Sequence, residues 1–231
     1  MKHFFYLVLF MLCMVTSCKV AYVPNTVNVP LFDDSGQLRL SGDTKGNFQF
    51  ATSLDPHVGV MVNALLRQDG KDTDPVNGKG SFFEAGVGAF SGGDRWVTWE
   101  TYVGAGIGKT KFADNGKSFD TRGARFFFQP SIGIHHSIFE IAATGRLVGG
   151  RYSGYNTTYT TQELINNNLA DIDKHTWLFA EPALTARIGY RWVKLQLQVG
   201  KAFKLTDKPL AFEENFSSIG LIFDFGRTYS F

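Results

Sequence analysis

From Gln37 onward the chain repeats one pattern, short runs in which apolar residues alternate with polar residues or glycine, and helical periodicity is almost absent. Val58, Val60, Val62, Ala64 and Leu66 alternate with Gly59 and Asn63, and Phe83, Ala85, Val87 and Ala89 with Glu84, Gly86 and Gly88. Val193, Leu195, Leu197 and Val199 alternate with Lys194, Gln196 and Gln198, and Phe126, Phe128, Ile132 and Ile134 with Arg125, Gln129, Ser131 and Gly133. A strand turns successive side chains to opposite faces, so each run has one apolar face and one polar or small face. The pattern predicts about ten strands, over 37–42, 47–54, 57–67, 80–90, 95–108, 121–134, 137–148, 175–190, 192–204 and 216–231. In the last run Ile219, Leu221, Phe223, Phe225, Tyr229 and Phe231 share a face that only Arg227 interrupts. At about 3.3 Å per residue and a tilt near about 45°, 219–231 covers roughly 30 Å, the thickness of a bilayer's hydrocarbon core.

The connections give an independent test, because membrane barrels pair short turns on one side with longer loops on the other. Residues 55–56, 91–94, 135–136 and 191 are short, while 68–79, 109–120, 149–174 and 205–215 are long and alternate with them; 43–45 is the exception. The expected fold is therefore all-β, a closed antiparallel up-and-down transmembrane β-barrel over 36–231, of about ten strands with eight as the alternative. Both termini then fall on the short-turn side.

Composition fits this picture and narrows the rest. The 231 residues include 25 Gly and 22 Phe, only 19% are charged, and mean hydropathy is −0.08, too polar for a bundle of membrane helices. A barrel exposes only every second residue to lipid and sits in this middle range. The net charge is +2, with Lys and Arg scattered and no basic stripe, so nucleic acid is not an implied partner. Residues 1–17, with Lys2 and an apolar run from Phe4 to Val15, have the shape of a secretory signal peptide. With Cys13 removed alongside it, Cys18 is the single cysteine left and no internal disulfide can form. Residues 18–35, with Pro24 and Pro30, read as an extended tether on the periplasmic side that ends at a turn near Gly36.

Val15-Thr16-Ser17-Cys18 resembles the lipobox of bacterial lipoproteins, and the terminal strand resembles the closing strand of bacterial outer-membrane barrels. Tyr22-Val23-Pro24-Asn25 and Asn28-Val29-Pro30-Leu31-Phe32 are similar to the leader of small outer-membrane β-barrel lipoproteins of Gram-negative bacteria. The resemblance implies an acyl chain on Cys18, an assembly signal in Phe225, Tyr229 and Phe231 read by the barrel assembly machinery, and outer-membrane lipids as surroundings. Oligomeric state is not implied.

Under the same register the lumen receives Glu84, Glu100, Glu140, Glu181 and Asp224, with Arg125, Arg146, Arg187 and Lys194 against them. A barrel this narrow is close to the size that side chains fill outright, so paired charges are expected to plug it. Folding the hairpin about His135-His136 places Arg125 opposite Arg146, with Glu181 and Glu84 as the nearest acids. Catalysis at the rim would need a base, and His175 beside Asp171 and Asp173 is the external histidine; His57, His135 and His136 fall at the short turns. The loop over 149–174 carries Thr160-x-x-Glu163, a capping box, and Ile165, Leu169 and Ile172 would form an apolar face that covers the mouth or meets a surface ligand. No phosphate loop, nucleophile elbow or paired-Cys metal motif occurs, so no cofactor is expected. The expected role is structural or surface-interactive rather than enzymatic. The rivals are a rim-site hydrolase (protease or lipid A modifying) and a soluble periplasmic ligand-binding barrel.

Overall fold

The computed structural model describes residues 20–71, 74–93 and 96–226. Among these residues eleven strands and one short helix follow in chain order: β1 (Leu38–Asp43), β2 (Asn47–Asp55), β3 (Val58–Asp69), β4 (Val76–Phe90), β5 (Val97–Asp114), β6 (Lys117–His135), β7 (Phe139–Thr157), α1 (Thr161–Asn166), β8 (Thr176–Tyr190), β9 (Val193–Lys201), β10 (Phe203–Lys204) and β11 (Asn215–Phe225). Neighbours from β1 to β9 pair antiparallel, and β11 lies between β9 and β1, closing a ten-stranded barrel. The two residues of β10 pair with β8 beyond the end of β9.

The alternation sorts the faces as its period requires. Leu66, Ile107, Phe126, Ile132, Leu184 and Ile188 are each more than half exposed on the outer wall, whereas Asn63, Glu84, Gln129, Thr185 and Gln198 point inward and are buried. At the end carrying the short turns, Trp96, Trp99, Tyr190 and Trp192 stand exposed.

Strands β4 to β7 are longer than expected, at 15, 18, 19 and 19 residues, and form a wall that rises past the shorter strands at the loop end. The expected loop over 109–120 is instead ladder on both sides of a two-residue turn, Asn115-Gly116. Both turn residues have positive φ, 48° and 81°, the geometry a type I′ hairpin demands and Asn-Gly supplies. The alternation had lost its apolar partners here, because the outward side chains are now Lys109, Lys111 and Arg122. Likewise β7 runs to Thr157, so the long loop begins later than 149.

The β6–β7 register also differs from expectation. His136 donates its N–H to the Phe139 carbonyl at 2.8 Å and His135 pairs with Glu140, so the turn is centred past the two histidines. Arg125 therefore faces Gly150, and Arg146 lies beside Glu181 of β8. The two arginines are not directly opposed.

The largest correction concerns the N-terminal segment. Residues 20–35 are not a free tether; most are buried inside the barrel. Ala21 and Tyr22 sit at the loop end, where Ala21 donates to the Ala211 carbonyl at 2.9 Å and Tyr22 forms a parallel bridge with Phe212. Asp33 lies at the opposite end, accepting from Gly93 N–H at 2.7 Å, and the chain reverses at Gly36 into β1. The segment thus crosses the whole lumen. Val20 lies at the loop end and Gly226, the last described residue, at the turn end, so the described chain does not start and finish on one side.

Candidate functional site

Inside the barrel the polar face of the sheet meets the N-terminal segment, and the two satisfy each other. Pro24 and Pro30 hold that segment extended and remove two of its backbone donors. Several of the remaining groups bond to side chains of the wall. Gln198 acts as a strand neighbour would, accepting from Val27 N–H at 2.7 Å and donating to the Val27 carbonyl at 3.0 Å. Gln129 donates to the Asn28 carbonyl at 2.6 Å, Arg187 to the Val29 carbonyl at 2.8 Å, and Glu100 accepts from Leu31 N–H at 2.8 Å. Val27, Val29 and Leu31 pack with Ala142, Ala183 and Phe216. Gly133 makes room here, since a Cβ on it would stand 2.7 Å from a Leu31 methyl.

The charged residues fall into two layers. Toward the loop end, one oxygen of Glu84 accepts from Arg125 Nε and from Arg146, both at 2.6 Å, while Asn25 donates to the other at 3.0 Å. Glu181 lies 3.6 Å from Arg146 and accepts a hydrogen bond from the Tyr22 hydroxyl. The Arg125 guanidinium also sits 3.8 Å over the Phe82 ring, and that of Arg146 4.6 Å over Phe127. These contacts absorb charge that a single carboxylate would not.

Toward the turn end Glu140 is the centre. It accepts from Arg39 at 2.6 and 3.0 Å, from Arg187 at 2.8 Å and from Lys194 at 2.9 Å. Asp224 takes a second bond from Arg39 at 2.6 Å and stands 3.7 Å from Lys194. Arg187 is further held by Gln196 at 2.7 Å.

All nine lumen charges expected from the sequence are buried and lie inside. A tenth, Arg39, was missed, although Leu38-Arg39-Leu40 alternates plainly enough to have shown it. With it, Glu84, Glu100, Glu140, Glu181 and Asp224 balance Arg39, Arg125, Arg146, Arg187 and Lys194. Also missed were Tyr22, Asn25 and Val27 to Leu31; the alternation of Val27, Val29 and Leu31 was the available signal. Beside Val20–Val23 the space left at the mouth is about 30 Å³, room for about one water.

The loop over 158–175 closes the mouth. Its helix α1 opens with the expected capping box, Thr160 with Glu163. Lys117 and the Thr160 backbone and hydroxyl donate to the Glu163 carboxylate, pulling its pKa down to about 2. Leu164, Leu169 and Ile172 are buried among Phe112, Phe119, Tyr159 and Trp177. Ile165, expected on that face, is instead 52% exposed, because the helix ends at Asn166 and the chain leaves it before a second turn can repeat the face.

Of the other expected residues, Phe225 is outward and 45% exposed, and Cys18, Tyr229 and Phe231 lie outside the described residues. His175 meets Trp177 edge-on at 5.8 Å, and Asp171 pairs with Lys174 at 2.8 Å. Among the described residues no group of three or more His, Cys, Asp or Glu is placed to hold a metal. Chemically, the arrangement fills and seals. Neither a scan against protein-family models nor a search of curated proteins finds a match.

Proposed function

We propose that this protein is an outer-membrane β-barrel, acylated at Cys18, that acts as a sealed structural or surface-presenting element rather than as a pore or an enzyme. The observation that carries the reading is the inversion of faces: apolar side chains outside, ten balanced charges and the chain's own residues 20–35 inside. A soluble binding barrel would need the opposite, an apolar cavity and a polar exterior. The exposed aromatic residues at the turn end match the interfacial girdle of membrane barrels. In this reading the turn end faces the periplasm, the long-loop mouth faces outward, and outer-membrane lipids and the assembly machinery are its partners. Because Val20 sits at the mouth, the acyl chain on Cys18 would anchor in the leaflet at the loop end.

Fractionation and planar-bilayer recording test this together. The wild type should partition with outer membranes, show heat-modifiable mobility on gels, and carry no steady current. Mass spectrometry of the N-terminus should find diacylglyceryl on Cys18, and Cys18→Ser should abolish it. Recovery of the protein in the soluble periplasmic fraction, or open-channel conductance from the wild type, would refute the reading.

A further inference from the structure

Outside the barrel, the tall wall of β4 to β7 carries a feature that sealing the lumen does not use. Directly above the apolar belt the outward positions turn basic: Ile107 is followed on its face by Lys109, and Ala124 is preceded by Arg122. The register sets Lys109 directly opposite Arg122. Like charges opposed across strands are destabilising, so a sheet that holds them benefits from an anion between them. Asp120 answers Lys109 at 3.0 Å, but among the described residues Arg122 and Arg151 form no ion pair.

Lys109, Arg122 and Arg151 rim a groove of about 970 Å³ on the outer wall. Leu66, Phe83 and Ile107 line its lower part, Lys109, Arg122 and Arg151 its upper part, and Asp173 is the acid at its edge. Backbone at Gly108 and Gly123 forms part of its floor. The volume lies at the upper end of the about 300–1,000 Å³ range of small-molecule sites. Its apolar part is continuous with the belt, so the occupant must present an acyl chain below and an anion above.

We infer that this groove binds a lipid bearing a free phosphate monoester, from the leaflet at the loop end. The guanidiniums of Arg122 and Arg151 grip the phosphate in forked hydrogen bonds, and a chain lies against Leu66, Phe83 and Ile107. The inference rests on the membrane reading above.

The test is native mass spectrometry of the full-length protein, purified from membranes in detergent and equilibrated with equal amounts of phosphatidylcholine and a diphosphorylated glycolipid. The wild type should retain the glycolipid preferentially, and Arg122→Gln and Arg151→Gln should each weaken retention by about tenfold. Arg122→Lys, which keeps charge but loses the fork, should fall between. Lys201→Gln, outside the groove, should change nothing. Equal retention of both lipids by the wild type, indifference to the arginine variants, or displacement by excess inorganic phosphate would overturn the assignment. Heat-modifiable mobility and insertion into phosphatidylcholine vesicles are scored in parallel. Failure there would remove the membrane reading and this inference with it, whereas insertion without lipid discrimination overturns this inference alone.

Discussion

Replacing Glu140 with Gln probes the lumen at its most connected point. Glu140 is 1% exposed and accepts four bonds from three cations. Gln keeps the shape and one acceptor oxygen but removes the charge, leaving Glu84, Glu100, Glu181 and Asp224 against five buried bases. Arg39 and Lys194 retain Asp224, at 2.6 and 3.7 Å, while Arg187 is left with Gln196 and the Val29 carbonyl. Breaking one buried pair costs about 3–5 kcal/mol, because the remaining charge cannot return to water. We expect Glu140→Gln to lose that much in equilibrium unfolding by guanidinium in lipid vesicles, followed by tryptophan fluorescence. Adding Lys194→Met restores the balance, so the double variant should recover about 1–3 kcal/mol, a coupling typical of residues in one network. A Glu140→Gln barrel within about 0.5 kcal/mol of wild type, or a double variant less stable than the single one, would refute the view that charge balance holds the lumen together.

Gln198→Leu removes both bonds to Val27 and leaves its N–H and C=O buried and unpaired, a cost of about 1–3 kcal/mol for each group. Hydrogen exchange at the Val27 amide should accelerate, and unchanged protection would mean that the segment is held by packing alone. Gly116→Val places a β-branched residue at φ 81° and should cost about 1–2 kcal/mol, loosening the 109–120 hairpin tip while the belt stays protected. The Glu163 carboxylate has its pKa lowered to about 2 by Lys117 and Thr160, so its contribution to lid order is present above the unfolded value of about 4.5 and is lost as pH falls toward about 2. Exchange rates over 158–175 should rise in that window, and Glu163→Gln should bring the loosening to neutral pH.

How far the sequence reached is clearest in β6. Phe126, Phe128, Ile132 and Ile134 alternate with Arg125, Gln129 and Ser131, and that alone decided which residues face out, because a strand's two-residue period does not depend on its neighbours. The capping box at Thr160 was legible for the same reason: its partners are three residues apart. The offset of Arg125 from Arg146 was not, since it depends on where the turn after His135 is centred, and alternation survives a shift of four residues unchanged. The site itself lay further out of reach. Arg39 meets Asp224 across 185 residues and Tyr22 meets Glu181 across 159. Apart from the single bridge of Tyr22 to Phe212, residues 20–35 form no strand pairing, and they carry two prolines, which locally describe an extended linker. Only the closed barrel, with a lumen narrow enough for one chain and lined by Gln129, Arg187 and Gln198, gave that segment's backbone a place to bond and so decided that the barrel is filled by residues 20–35.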